Sequence, residues 1–266
     1  MRYAFSTLGL PGTPLERSAD LAAEHGYEGL ELRAHPEEPL HPGSPAGDRA
    51  AGLRTLTSAG VAVLGVAGYA RVAAAGPDEP VLAEVQALVR LAADLEAPYV
   101  RVFPGGGELP PAEADGHAVR RLLAAAPFAE RHGVRILLET HDSHRTATAT
   151  ARVLDRVAHP GAGALWDVLH TWLGGESPAE SNRALAGHLG YTQVKDVASA
   201  RELTPIGLGG GALPLAEAVA LQPPRGWLCW EYEKRWYPGA GELPERLGPG
   251  REYLERLVRA ADRQAE

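Results

Sequence analysis

Short apolar runs alternate with longer amphipathic ones along this whole chain, and that alternation narrows the fold more than anything else in it. The short runs are YAFST (3–7), EGLELR (28–33), VAVLGVA (61–67), YVRVF (99–103), VRILLET (134–140), AGALWDV (162–168), YTQVKDV (191–197) and WLCWEYE (227–233). Their length is that of β-strands. The segments between them carry helical periodicity. Leu82, Val85, Leu88, Val89 and Ala92 fall on one helical face, with Asp78 expected as the N-cap and Pro80 in the first turn. Tyr253, Leu254, Leu257, Val258 and Ala261 form another such face. Further helices are expected over 14–25, 46–59, 115–132, 145–157, 178–188 and 213–220. Gly26, Gly60 and Gly133 each follow a helical pattern and precede a strand, as helix-ending glycines do.

Strand–helix alternation implies a parallel sheet, because parallel neighbours need a crossover connection. Eight such units, spaced about 25 to 38 residues apart, match the size of a single α/β (β/α)8 TIM barrel. An open doubly wound sheet is the alternative. No Pro- or Ser-rich linker divides the chain, so residues 1–266 are expected to form one domain. The Pro-rich stretch HPEEPLHPGSPAG (35–47) follows a strand and is expected as a loop on the active-site face.

Composition removes several function classes. The formal net charge of −8 is a poor match for nucleic acid or an anionic membrane surface, so neither is expected as a partner. A small anionic substrate stays open, since a pocket can carry its own local charge. The single cysteine, Cys229, rules out an intrachain disulfide and a Cys-based zinc site, and it fits a reduced, cytoplasmic setting. The longest near-apolar stretch, VAVLGVAGYA, is far shorter than the ~20 residues of a membrane span. The opening MRYAFSTLGLPG lacks the pattern of a secretory signal and reads as a first strand. There is no Gly-x-Ser-x-Gly elbow and no P-loop lysine, so Ser or Cys nucleophilic catalysis has no support.

In a (β/α)8 barrel the chemistry collects at the C-terminal ends of the strands. Those ends are strongly polar here. Strand two ends in Glu31 and Arg33, strand four carries Arg101, and strand five ends in Glu139 followed by His141. Strand six ends in Asp167, with His170 one helical step on; strand seven offers Gln193, Lys195 and Asp196; strand eight ends in Glu231 and Glu233. Glu139, Asp167, Gln193 and Glu231 come from four consecutive strands and converge on one axis. Three carboxylates aimed at one small volume repel unless a positive charge sits among them. A divalent cation meets that need. Oxygen-rich ligation suits Mn2+ or Mg2+ best, and a site with an added imidazole also accepts Zn2+ or Co2+.

Each of these residues also has a plainer reading. A lone strand-end acid can cap the next helix or pair with a lysine. Asp196 is expected to pair with Lys195 or cap a loop, and Glu233 to point away from Glu231, either at the surface or supporting the ligands from behind. His25, His132, His159 and His188 are expected to be solvated, and His144 to sit in the first turn of the next helix. The glycine runs PGGG (104–107) and GLGGGA (207–212) are either plain loops or loops whose backbone N–H groups meet a phosphate. Trp172 and Trp236 follow strand ends and are candidate walls of a substrate site.

FSTLGLPGTPLERSADLAAEHGYEGLELR, YVRVFPGG, LLETHDS, ALWDVLH, QVKDV and WEYE, in that order, resemble the sugar phosphate isomerase/epimerase family of xylose isomerase-like TIM barrels. The resemblance runs over nearly the whole chain. It implies a divalent metal held by Glu139, Asp167, Gln193 and Glu231, with Glu139 and Glu231 as the acid/base pair. It implies that His170 contacts substrate; Arg101, His141 and Lys195 are the further candidates for that role. The family pattern reads His where this chain has Gln193, and an amide oxygen there shifts preference toward Mn2+ or Mg2+. The implied activity is isomerisation or epimerisation of a sugar, keto-polyol or sugar phosphate through an enediolate. A dehydratase acting on a keto-polyol such as an inosose, and a non-catalytic sugar-binding barrel, are the alternatives. A homo-oligomer is compatible with either.

Overall fold

The computed structural model describes residues 1–265. Eight parallel strands close into a barrel: β1 (Arg2–Ser6), β2 (Gly29–Arg33), β3 (Ala62–Arg71), β4 (Tyr99–Phe103), β5 (Arg135–Glu139), β6 (Ala162–Asp167), β7 (Leu189–Val194) and the last barrel strand, β10 (Trp227–Trp230). A short antiparallel hairpin, β8 (Val197–Ser199) and β9 (Glu202–Pro205), lies between the last two and stays outside the barrel. Hydrogen bonding runs in chain order around the ring, and β1 pairs with β10 to close it. Closure leaves no free edge. No helix among the described residues is long and apolar enough to cross a membrane.

The helices are α1 (Leu15–Glu24), α2 (Ala46–Ser58), α3 (Asp78–Asp94), α4 (Pro111–Arg131), α5 (Ala147–Val157), α6 (Val168–Leu173), α7 (Pro178–Leu185), α8 (Leu215–Ala220) and α9 (Pro244–Ala265). Amphipathicity explains their seating. Val85, Leu88, Val89 and Ala92 of α3 are buried in the expected face, and the main core lies between helices and barrel wall. At the start of α3 the expectation is corrected. Pro77 holds the cap position and Asp78 opens the helix. The Asp78 carboxylate instead takes ion pairs from Arg120 and Arg121 of α4, at 2.6 and 2.8 Å.

Inside the barrel, Ala4, Leu64, Leu137, Leu165, Tyr191 and Cys229 form a separate small apolar cluster. It plugs the bore. Strand residues point alternately in and out, so two positions beyond Leu137, Leu165, Tyr191 and Cys229 stand Glu139, Asp167, Gln193 and Glu231. The polar layer therefore rests directly on the plug, and all four are buried.

Three local departures matter for the site. Periodicity extends strand six to Val168, but α6 begins there, because the Asp167 side chain accepts from Leu169 N at 2.8 Å and caps the helix. Strand seven stops at Val194, leaving Lys195 and Asp196 in the turn before β8. The eighth barrel strand stops at Trp230, so Glu231 to Glu233 lie in irregular chain.

Candidate metal centre

Ligand atoms of Glu139, Asp167 and Glu231 all lie within 4.8 Å of one another. A second group, Glu139, His141 and His170, meets the same criterion. The barrel thus brings together the three carboxylates and both imidazoles that strand-end position singled out.

Asp167 serves two purposes with two oxygens. Oδ1 caps α6, while Oδ2 is buried, accepts no aligned hydrogen bond, and lies 2.7 Å from Lys195 Nζ and 3.8 Å from His170 Nε2. The cap reading holds, and it leaves the second oxygen facing the cluster. Glu139 Oε2 is likewise buried and unbonded, with Arg101 Nε at 3.2 Å but not aligned to donate. Burial in the apolar bore pushes the Glu139 carboxyl up to about 8, against the pull of Arg101 and His141.

Gln193 is fully buried, and its orientation follows from its neighbours. Nε2 donates to Glu31 Oε2 at 2.8 Å and to Glu231 Oε1 at 3.2 Å. Oε1 has no partner. Glu31, from the end of β2, also accepts from the Tyr191 hydroxyl. Burial raises its carboxyl pKa, and the charge of Glu231 adds to that. Glu31 was visible as a strand-end acid but was not placed in the candidate ligand set; its inward parity with Glu139 and Glu231 is the signal that finds it.

Lys195 was expected among the substrate-contacting groups. Its ammonium hydrogen-bonds Glu231 and Glu233, the latter at 2.7 Å, and stands 2.7 Å from Asp167 Oδ2. Burial disfavours that cation, and Asp167, Glu231 and Glu233 more than offset the penalty, so the Lys195 pKa rises well above the usual lysine range. The outward expectation for Glu233 is therefore corrected. Glu231 and Glu233 lie past the end of β10 in irregular chain, and Glu233 reaches the ring through Lys195.

Arg101 keeps two buried donor atoms, Nε and Nη1, without partners, and its guanidinium stacks on Phe103 at 3.9 Å. Burial lowers the Arg101 pKa, but the charges of Glu139, Glu231 and Glu31 raise it further, and the net shift is upward. His141 and His170 pack edge to face with ring centroids 4.1 Å apart, and Phe103 stacks against His141 at 4.5 Å. Burial, with His141 and Lys195 nearby, drives the His170 pKa well down, so its imidazole is neutral. These rings and Phe103 wall one side of the site.

The loop over 35–47 lies at this same end. Arg33, at the end of β2, binds Glu38 Oε1 at 2.5 Å, and Glu37 pairs with Arg235 from beyond β10. Trp236 is 51% exposed, with the Arg33 guanidinium 5.6 Å from its ring. Trp172 packs partly buried against the main core. Both glycine runs close on acceptors of the protein itself. Gly105 N and Gly106 N donate to Asp142 and Ser143, at 3.0 and 2.9 Å. Gly209 N and Gly211 N donate to Asp196 Oδ2, at 2.9 and 3.0 Å. Those N–H groups are already bonded and are not free for a phosphate. Asp196 caps a loop, as expected.

Three oxygens in this small volume are buried and accept no hydrogen bond: Glu139 Oε2 and Asp167 Oδ2, which meet only the charges of Arg101 and Lys195, and Gln193 Oε1, which meets none. Leaving such an atom unbonded costs on the order of 1–3 kcal/mol. Hard oxygen donors from converging side chains are the donor set of Mn2+ or Mg2+, so the residues present fit a divalent cation.

No curated protein sequence matches the chain. Solved structures do. The probable 3-DHS dehydratase AsbF of petrobactin synthesis from Bacillus anthracis superposes with a TM-score of 0.79 at 19% identity, covering 96% of this chain and 99% of that one. The IolI protein with a binding zinc atom gives 0.81 at 16% identity, over 97% and 98% of the two chains. D-psicose 3-epimerase with D-tagatose, from Clostridium cellulolyticum H10, gives 0.79 at 16% identity, over 98% and 99%. At these identities the likeness is one of fold. Residues 19–257 match the sequence profile of a named family, and on that match the chain belongs to the xylose isomerase-like TIM barrel family.

Proposed function

We propose that this protein is a divalent-metal-dependent isomerase or epimerase of a sugar, keto-polyol or sugar phosphate. One observation carries the reading: three of the four expected ligands, Glu139, Asp167 and Gln193, each hold a buried oxygen that accepts no hydrogen bond, and the fourth, Glu231, shares the cluster of Glu139 and Asp167. Zn2+ or Co2+ fits second, through the imidazoles of His141 and His170.

When bound, the cation supplies Lewis-acid stabilisation of the negative oxygen that develops beside the reacting carbon. The rest is work for side chains. Glu139 takes the proton from the carbon next to the carbonyl. Glu231 returns a proton to the opposite face, which inverts the centre, or to the neighbouring carbon, which moves the carbonyl. Arg101 donates its unpartnered Nη1 to a substrate oxygen. His170 and His141 orient hydroxyl groups along the wall they share with Phe103. Without metal, Lys195 balances the charge of Asp167, Glu231 and Glu233.

A dehydratase is the second reading, favoured by the edge-to-face His141–His170 pair beside Glu139. An imidazole there can hand a proton to a departing hydroxyl. Both readings begin with proton removal, and they differ in whether the product keeps its water.

The experiment is a screen of ketoses and keto-polyols in D2O with added Mn2+, Mg2+ or Zn2+, deuterium incorporation being read by mass spectrometry after quenching with EDTA. Deuterium enters next to the carbonyl of the true substrate. Glu139→Gln and Glu231→Gln each lower exchange by about 10²–10⁴-fold, the range for loss of a general acid or base. Wild-type exchange in both variants overturns the acid/base assignment; ligand-induced melting shifts with no exchange from any substrate mark a sugar-binding barrel instead.

A further inference from the structure

The Lys195 ammonium sits where the charge of the ring is greatest. It contacts Asp167 Oδ2, Glu231 Oε2 and Glu233 Oε1. Two of those carboxylates belong to the cluster suited to a cation, and the third does not. A metal ion and the ammonium therefore draw on carboxylate oxygens of the same two residues, Asp167 and Glu231. Two positive charges a few ångströms apart in a buried site repel strongly, so both cannot hold those oxygens together.

We propose that Lys195 is a built-in counter-ion that holds the carboxylate ring together without metal and hands Asp167 and Glu231 over when metal enters, swinging onto Glu233. Glu233 is suited to receive it. Its carboxylate already lies 2.7 Å from the ammonium. Its side chain is 19% exposed, against 0% for Asp167 and 5% for Glu231, so the swing runs outward. The flexible four-carbon stem of lysine permits the move. Without the ammonium, the ring of a metal-free protein would hold buried carboxylates with no adjacent cation but Arg101. This inference rests on the reading that the ring takes a divalent cation.

The test is titration calorimetry of Mn2+ into EDTA-stripped, dialysed wild type, Lys195→Met, Glu233→Gln and the double variant. Lys195→Met binds Mn2+ at least about tenfold tighter, and its metal-free form melts below wild type. Glu233→Gln binds Mn2+ several-fold weaker, because the displaced ammonium loses its alternative partner. The double variant separates this from simple charge removal: in the Lys195→Met background the Glu233→Gln effect disappears. An equal Glu233→Gln effect in both backgrounds overturns the hand-over. So does a Lys195→Met protein that binds no tighter than wild type. Should Lys195→Met not fold, the side-chain NMR signal of Lys195, assigned with Lys195→Arg, gives the answer on wild type. It moves on adding diamagnetic Mg2+ in wild type and not in Glu139→Gln, and an unmoved signal at saturating Mg2+ overturns the proposal. If wild type and every variant take up no Mn2+, Mg2+ or Zn2+, the metal reading itself fails and this inference falls with it.

Discussion

Replacing Asp196 with alanine opens the loop that follows β7. The carboxylate is 1% exposed and accepts four backbone N–H groups: Val197 at 3.1 Å, Gly209 at 2.9 Å, Gly211 at 3.0 Å and Leu213 at 3.3 Å. The four losses are unequal. Gly209 and Gly211 are exposed, so water replaces the carboxylate there, at a cost of roughly 0.5–1.5 kcal/mol each. Val197 and Leu213 are buried, and an unsatisfied buried donor costs about 1–3 kcal/mol. The Leu213 bond is long, which sets its share near the bottom of that range. Together these give a loss of about 3–7 kcal/mol. A Cβ at Gly211 would stand 2.2 Å from Asp196 Oδ1 and 2.3 Å from Val197 O, so loop and carboxylate are built around each other. Urea unfolding followed by circular dichroism reads the change as a drop in midpoint at constant slope. Native-state hydrogen exchange should localise it, with the Gly209 and Gly211 amides exchanging faster. A loss under about 1 kcal/mol, with those amides still protected, refutes the reasoning.

Two further outcomes follow from buried groups. Burial keeps the His144 imidazole below its ordinary value of 6.5, although Asp115 at 3.0 Å pulls the other way. The unfolded chain then binds a proton near 6.5 that the folded chain refuses until lower pH, so this contribution to stability is present above that value and is lost as pH falls below it. His144→Gln should flatten the fall in urea midpoint between pH 7.5 and 5.5, and an unchanged or steeper fall contradicts the assignment. Cys229 is fully buried in the barrel plug, and burial raises its thiol pKa well above the ordinary range. The native protein should resist Ellman's reagent and react only on unfolding; prompt labelling in buffer would show the bore to be open.

The barrel and the carboxylate ends of its strands were legible from sequence, for one reason. Periods of 2 and 3.6 residues state locally which way each side chain points, so Glu139, Asp167, Gln193 and Glu231 could be placed on one inward layer without knowing their distances. Where regular chain stops, that inference stops. The ends of β7 and β10 fall at Val194 and Trp230, and beyond them neither Lys195 nor Glu233 could be aimed from the pattern. Contacts between remote residues were equally closed to sequence. Gln193 is oriented by Glu31, 162 positions away, and that amide leaves its oxygen unpaired only because β2 and β7 curve toward one axis. The amino-acid order determined a closed ring of strands crowned with acids. Only the tertiary structure decided which side chains meet among them, Lys195 and Arg101 included, because contacts at a shared point depend on the curvature and stagger of the whole barrel.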